Sequence, residues 1–276
     1  MLFDFHTHTI FSDGVLTPDQ LISLANDRNI DVISVTDHDT ISNFQEVKQA
    51  CNKYELELIK GTELTASLEN KDIHILCYFE KEDNYLELSD HEATYKQKRI
   101  ERLYKICDNL KLEGVIIEPE NILKKSSHII ARPQIAAEIV EKGYASSVAN
   151  AFDKYLYDGA KSYEPASIIS AEDLIIKVRL MGGLPVLAHP AERFINREDL
   201  IKNLVTAGLQ GIEVHHPSHD LVKRNHYTNL CRRYNLVVTG GSDYHGIVGK
   251  EDNLGKTIIA QAEYDRLKVR MSECSV

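Results

Sequence analysis

The chain has 276 residues, and 32 Lys and Arg against 42 Asp and Glu give it a formal net charge of −10. Its length fills one large domain or two modest ones, and 43% hydrophobic with 27% charged residues is the composition of a soluble globule. The acidic balance excludes bulk-charge coating of nucleic acid or anionic membrane, and five scattered Cys without a C-x-x-C exclude a disulfide framework or zinc ribbon.

The N-terminus reads MLFDFHTHTI, with no basic region followed by an apolar run, and no stretch reaches the roughly 18 apolar residues of a membrane helix. The expectation is a cytoplasmic protein. Residues 2–5 read as a strand that stops at His6-Thr7-His8, with Asp13 next in an F-S-D-G loop. T-P-D-Q at Thr17 predicts a capping box and a helix carrying Leu21, Ile22, Leu24 and Ala25. Strands follow at 32–35, stopping at Asp37-His38-Asp39, at 56–59, stopping at Gly61-Thr62-Glu63, and at 73–79, which His74 interrupts. From about Ser89 to Glu164 there are helix signals and no strand. Tyr95, Leu103, Ile106 and Leu110 form a stripe ringed by Lys96, Lys98, Arg99, Arg102 and Lys105. A second helix is predicted after Arg132-Pro133 and a third over 148–155. The alternation then resumes. A helix after Ser170 precedes a strand at 185–188 that stops at His189-Pro190, and a helix after Asn196 precedes one at 211–214, where Glu213, His215 and His216 gather. The last strand, 236–239, stops at Ser242-Asp243-Tyr244-His245. Alternating strand and helix predicts an α/β fold with a parallel sheet, interrupted by a helical insertion.

A parallel β/α barrel puts its active site at the C-terminal ends of its strands, and here nearly every strand delivers a His, Asp or Glu to that rim. Residues i and i+2 of an extended segment face one side, so His6 and His8 can grip one cation. Imidazole with carboxylate, and no thiolate, suits Zn, Mn or Fe. The set is too large for one ion, and Glu63 is the candidate bridging carboxylate. His91, His128 and His226 read as ordinary structural histidines, while His215, His216 and His219 stay open between rim and loop.

At these residues the sequence resembles the PHP (polymerase and histidinol phosphatase) family. The motifs are F-D-F-H-T-H-T-I-F-S-D-G at 3–14, S-V-T-D-H-D-T at 34–40, L-A-H-P at 187–190 and G-G-S-D-Y-H-G at 240–246, with Glu63 and His74 between them. The resemblance implies a distorted seven-stranded, TIM-like β/α barrel holding a trinuclear metal cluster. By position, His6, His8, Glu63 and Asp243 would hold one ion, Glu63, His74 and His189 a second, and Asp13, His38 and His245 a third. It implies a barrel from residues 1–88 and 166–276, with 89–165 as an inserted helical substrate-binding subdomain. The S-D-G form, R-P-Q-I-A at 132–136 and F-D-K-Y-L at 152–156 are similar to stand-alone members acting on nucleoside 3′,5′-bisphosphates and short RNA 5′ ends. Those relatives usually have His in place of Gln134 and G-x-P-A-Y-V-P in place of residues 159–165, departures that fall in the substrate pocket.

The expected chemistry is hydrolysis of a phosphate ester by a metal-bridging hydroxide, with two or three divalent ions, Mn first and Zn, Fe or Mg as alternatives. Arg132 is the first candidate phosphate clamp and Arg193 the second, since a guanidinium matches phosphate in a bidentate fork. His219 is nominated as general acid, with His216 as its alternative. The expected substrate is a small phosphorylated molecule, a nucleotide or a short RNA 5′ end, without long-duplex DNA or membrane binding. Competing readings are a histidinol-phosphate or other small phosphomonoesterase, a non-catalytic domain that keeps the fold, and an amidohydrolase-like barrel.

Overall fold

Thr17 accepts a hydrogen bond from Gln20 N while the Gln20 side chain accepts one from Thr17 N, so the predicted capping box opens the first helix. The computed structural model describes residues 1–125, 130–157, 159–165, 169–191, 193–247 and 252–275, so His128 lies outside the described residues. In chain order the elements are β1 (Phe3–Thr7), α1 (Pro18–Asp27), β2 (Val32–Val35), α2 (Phe44–Tyr54), β3 (Glu57–Leu58), β4 (Lys60–Leu68) and β5 (Lys71–Phe79). Next come α3 (Glu82–Leu86), α4 (Ser89–Leu112), α5 (Pro119–Lys125), α6 (Arg132–Glu141), and α7 (Val148–Ala151), which runs into a π-helical turn over Phe152–Leu156. The rest is α8 (Ala171–Leu180), β6 (Leu184–Leu187), α9 (Glu198–Ala207), β7 (Gly211–His215), α10 (Leu221–Tyr234), β8 (Val237–Gly240) and α11 (Gln261–Cys274).

The α/β class stands, but the expected distorted seven-stranded barrel is not seen closed among the described residues. Among the described residues eight strands make two sheets, β1-β2-β3 and β4-β5-β6-β7-β8. Isolated bridges join the two sheets, Thr7 to Tyr244 at one seam and His38 to Glu63 at the other. The sequence reading ended a strand near Ile59. The chain instead starts a fresh nine-residue strand, β4, which folds back on β5 through a two-residue turn. Glu69 and Asn70 both take left-handed backbone there (φ 52° and 60°), as a type I′ hairpin requires. β5 therefore runs antiparallel to both neighbours.

That reversal relocates one residue. His74 lies near the start of β5, yet the inverted strand brings it to the end where β6 finishes, and Ala188 N donates to His74 O at 3.1 Å.

Apolar clusters fill both sides of the sheets, with Phe3, Phe5, Ile75, Leu76, Leu187 and Ile212 fully or almost fully buried. The predicted stripe of α4 is buried as well: Tyr95, Leu103, Ile106 and Leu110 are all at most 1% exposed. Helices α4 to α7 share an apolar cluster of their own, in which Leu103, Ile106, Leu110, Ile135, Ile139 and Leu156 pack together. This helical stretch lies between β5 and β6 in the chain, and its Arg99, Arg102 and Arg132 line one cavity with His74.

Candidate metal centre

Alternation along β1 sends Phe3 and Phe5 into the apolar core and places His6 on the polar side, with His8 two residues on. Their rings stand 5.0 Å apart, both fully buried. Gly241 makes room for them, because a Cβ there would lie 2.3 Å from the His6 Cβ. Three cluster or flanking residues, Asp39, His189 and Asp243, hold left-handed backbone (φ 51°, 23° and 52°), strain of the kind that collects at functional sites.

Glu63 is the hub. Its Oε2 lies 3.1 Å from His6 Nε2, 3.3 Å from His8 Nε2 and 3.2 Å from His38 Nδ1. Its Oε1 lies 3.0 Å from His74 Nδ1 and 2.9 Å from His189 Nε2. Asp243 Oδ1 approaches His6 Nε2 at 3.4 Å and His8 Nε2 at 3.2 Å. Asp13 completes a second corner, 3.2 Å from His245 Nε2 and 3.8 Å from His38 Nε2. All nine sequence-expected ligands thus converge. Three groups of them have their donor atoms mutually within 4.8 Å: His6, His8, Glu63 and Asp243; His38, Glu63 and His74; and His8, Asp13, His38 and His245. His189 joins through Glu63 and through His74, whose Nδ1 lies 3.3 Å from His189 Nε2.

The donor set fits divalent ions. Separations near 3 Å are the edges of a coordination shell with bonds of about 2.1 Å. His8 Nε2 and His38 Nδ1 are buried without a hydrogen-bond partner, a costly arrangement that a cation would relieve. The opposite ring nitrogens are fixed. His6 Nδ1 donates to Glu213 Oε1 at 2.9 Å and His245 Nδ1 donates to Asp243 O at 2.8 Å, which leaves each Nε2 lone pair facing the cluster. Burial pushes the Glu63 carboxyl up, but His6, His38, His74 and the His189 hydrogen bond outweigh it and hold it well below its usual range. Burial drives the His38 ring down to about 3, against the pull of the Glu63 and Asp13 carboxylates. Asp243 is held low against burial by His6, His216 and His8.

A bulge in β7 between Glu213 and His215 resolves the histidines left open. It turns His215 outward to Glu263, 3.1 Å away, while His216 points inward with Nε2 3.5 Å from Asp243 Oδ2. His219, the nominated general acid, turns both ring nitrogens away from the cluster. Its Nδ1 donates to Val214 O and its Nε2 accepts from Ala191 N, both at 2.9 Å, so both nitrogens are committed to backbone. Arg193, the second candidate clamp, donates from its guanidinium to Leu68 O at 2.8 Å and Asp72 O at 2.9 Å, tying down the β4–β5 hairpin. Of the expected ordinary histidines, His91 is buried on Tyr95 and His226 packs on Tyr227.

Arg132 does reach the site. It lines a cavity of about 210 Å³ whose wall includes Asp13, His38 and His74, together with Arg99, Arg102, Asp72 and Phe152. The basic helix divides in two: Lys96, Lys98 and Lys105 are exposed, while Arg99 and Arg102 turn inward to this cavity. Arg99 pairs with buried Asp39 and donates to Ile130 O, yet its Nε has no partner. Gln134 caps α6 by accepting from Ala131 N and donates to Ser12 O at 3.4 Å, which ties the helices to the loop carrying Asp13. The sequence reading assigned no role to Glu213, Asp37 or Asp39, though the D-H-D triplet was a visible signal.

No helix among the described residues is long and apolar enough to cross a membrane. A family model described as the PHP domain matches residues 4–156. The chain is 28% identical over 260 residues to a phosphoribosyl 1,2-cyclic phosphate 1,2-diphosphodiesterase from Eggerthella lenta, covering 92% of this chain and 98% of that one. It is 28% identical over 254 residues to the 5′-3′ exoribonuclease Rnm of Escherichia coli (89% and 85% covered). It is also 28% identical over 247 residues to a 3′,5′-nucleoside bisphosphate phosphatase from Chromobacterium violaceum (88% and 86% covered). A solved structure from Bifidobacterium adolescentis, assigned as a metal-dependent phosphoesterase, superposes with a TM-score of 0.85 at 29% identity, covering 97% of this chain and 96% of that one.

Proposed function

The chain belongs to the PHP domain family, and from that premise we propose that it is a metal-dependent phosphoesterase whose substrate carries a second phosphate beside the one removed. The preferred substrates are nucleoside 3′,5′-bisphosphates, losing the 3′-phosphate, and short RNA hydrolysed from its 5′ end. The observation that carries the substrate class is the cavity in which Arg99, Arg102 and Arg132 face the wall formed by Asp13, His38 and His74. Guanidinium groups that close to a phosphoesterase centre match a further phosphate.

His6, His8, Glu63 and Asp243 would hold one ion, Glu63, His74 and His189 a second, and Asp13, His38 and His245 a third, with Mn first among the candidates. Ions held there would neutralise the phosphoryl oxygens and would make water nucleophilic near neutral pH. The chain's own groups do the rest. Glu213 keeps the His6 proton on Nδ1, and Ser218, donating from N and Oγ to His216 Nδ1, keeps the His216 proton on Nε2, toward Asp243. Arg132 orients the distal phosphate, while Phe152, 5.9 Å from its guanidinium, restricts the guanidinium's position. We read residues 1–88 and 166–276 as the metal-bearing body and 89–165 as the substrate-selecting insertion.

The test is a turnover panel with Mn²⁺: a nucleoside 3′,5′-bisphosphate, a short 5′-phosphorylated RNA, a ribose cyclic phosphate and histidinol phosphate. Turnover of either of the first two at least tenfold above histidinol phosphate is expected. Preference for histidinol phosphate would overturn the substrate class. Preference for the cyclic ester would move it toward the Eggerthella relative. No turnover of any ester would leave a non-catalytic domain.

A further inference from the structure

Asp13 differs from the other expected ligands because a loop carries it, rather than a strand or the residues just past one. His38 lies three residues past the end of β2 and His245 five past the end of β8, whereas Asp13 lies six past β1, in the turn that leaves His8 and returns to Leu16. That loop is wound around a single buried carboxylate. Asp37 Oδ1 accepts from Thr9 N and Ser12 Oγ, both at 2.7 Å, and Asp37 Oδ2 accepts from Thr9 Oγ1 and Asn43 Nδ2, both at 2.5 Å. With two donors on each oxygen its accepting capacity is filled, so Asp37 has none left for an ion. Thr9 passes the constraint on: its Oγ1 accepts from Phe11 N, and its carbonyl accepts from Ser12 N and Gly14 N. Gly14 is required by the same winding, since a Cβ there would lie 2.6 Å from His8 O. The residues on both sides of Asp13 are thus fixed, Ser12 by Asp37 directly and Gly14 through Thr9.

We propose that Asp37 is a positioning residue for one ion subsite, the one made by Asp13, His38 and His245, and that it acts by holding the Asp13 loop rather than by touching metal or substrate. Four ligands of the other two subsites are held by groups other than its side chain. Glu63 and His74 belong to the β4–β5 hairpin, His6 to β1, and His189 is held by Glu213, which accepts from His189 N at 2.7 Å. The Asp37 carbonyl accepts from Thr62 Oγ1 at 3.0 Å and would go on doing so after substitution. The proposal rests on the metal-centre reading above.

Mn²⁺ binding isotherms and metal content by mass spectrometry, on the whole chain, test it with wild type, Asp37→Ala, Asp37→Asn, Asp13→Ala and the Asp37→Ala/Asp13→Ala double variant. In Asp37→Ala one ion is expected to bind about 10- to 100-fold more weakly, the range for residues that orient a ligand, while the others keep their wild-type affinity. Asp37→Asn keeps one acceptor oxygen and falls between. The double variant matches Asp13→Ala alone, because both changes act on one subsite. If Asp37→Ala gives no folded protein, Thr9→Val, which removes the Thr9 hydroxyl between Asp37 and Phe11 N and touches no expected ligand, is read by the same criteria. Isotherms superimposable on wild type, with or without a lower melting temperature, overturn the proposal, as does a parallel loss of every ion. A wild-type chain binding fewer than two ions would instead overturn the metal-centre reading itself.

Discussion

The strand-bearing body and the helical stretch between β5 and β6 both place charged groups in the interior, by opposite arrangements. In the body each charge has its complement beside it. Five imidazoles surround Glu63 within 3.3 Å, and Glu213 answers His6 from behind. In the helical stretch Arg99 and Arg102 are buried at 6% and 7% exposure; Arg99 pairs with Asp39 of the body but leaves its Nε without a partner, and Arg102 donates from Nε to the Glu164 carbonyl. A self-compensated cluster is built to hold ions in one geometry. A wall of guanidinium groups beside it suits an anion that comes and goes. Chemistry and substrate choice therefore separate along the chain, and substitutions in the two regions should fail in different ways.

Glu63→Gln should produce the largest effect. It removes the one carboxylate shared by all five imidazoles, so kcat is expected to fall on the order of 10³-fold or more, with metal content falling in parallel. Full metal loading in this variant would break the view of the body as a single shared cluster. Arg132→Ala should behave differently. Loss of a charge-assisted hydrogen bond costs about 1.5–3 kcal/mol, so kcat/KM on a doubly phosphorylated substrate should drop roughly 10- to 150-fold. Most of that drop should appear in KM, at unchanged metal content. An equal drop on a monophosphate would show that Arg132 serves the reacting phosphate and would blur the division.

The body's contribution was legible in the sequence because a strand's period of two fixes where a side chain points. His6 and His8 could be placed on one face without coordinates, and strand ends collected the other ligands. His74 was found by motif but not explained, since only the reversal of β5 by the Glu69-Asn70 turn brings it to the rim. The β7 bulge was equally invisible, and it decides that His216 rather than His215 faces Asp243. In the helical stretch the apolar stripe of α4 could be read. Which of its basic residues turned inward could not, because Lys96, Lys98, Arg99, Arg102 and Lys105 differ only in what the helix packs against.

Arg193 offers a control within the body. Its guanidinium serves two backbone carbonyls of the β4–β5 hairpin. Arg193→Met is therefore expected to cost about 1–3 kcal/mol of stability, a melting shift of roughly 2–4 °C per kcal/mol. Its kcat/KM should stay within about threefold of wild type. A selective rise in KM at unchanged melting temperature would return Arg193 to the substrate site.

The smallest effect is expected at the seam between the two regions. His91 of α4 is 4% exposed and its Nδ1 accepts from Lys177 Nζ of α8 at 3.1 Å. Burial first, and then the Lys177 charge, push His91 down to about 4, against 6.5 for an ordinary histidine. The unfolded chain takes up this proton as pH falls through 6.5, while the folded chain resists until about pH 4. Stability from this residue is thus present above pH 6.5 and drains away between 6.5 and 4. Lys177→Met removes the like charge, raises the folded pKa and makes the decline shallower. Measured by denaturant unfolding at pH 7 and pH 5, the variant should gain somewhat under 1 kcal/mol relative to wild type on acidification. Parallel curves would mean that burial alone governs His91, and that the helical stretch is held to the body at this point by packing rather than by charge.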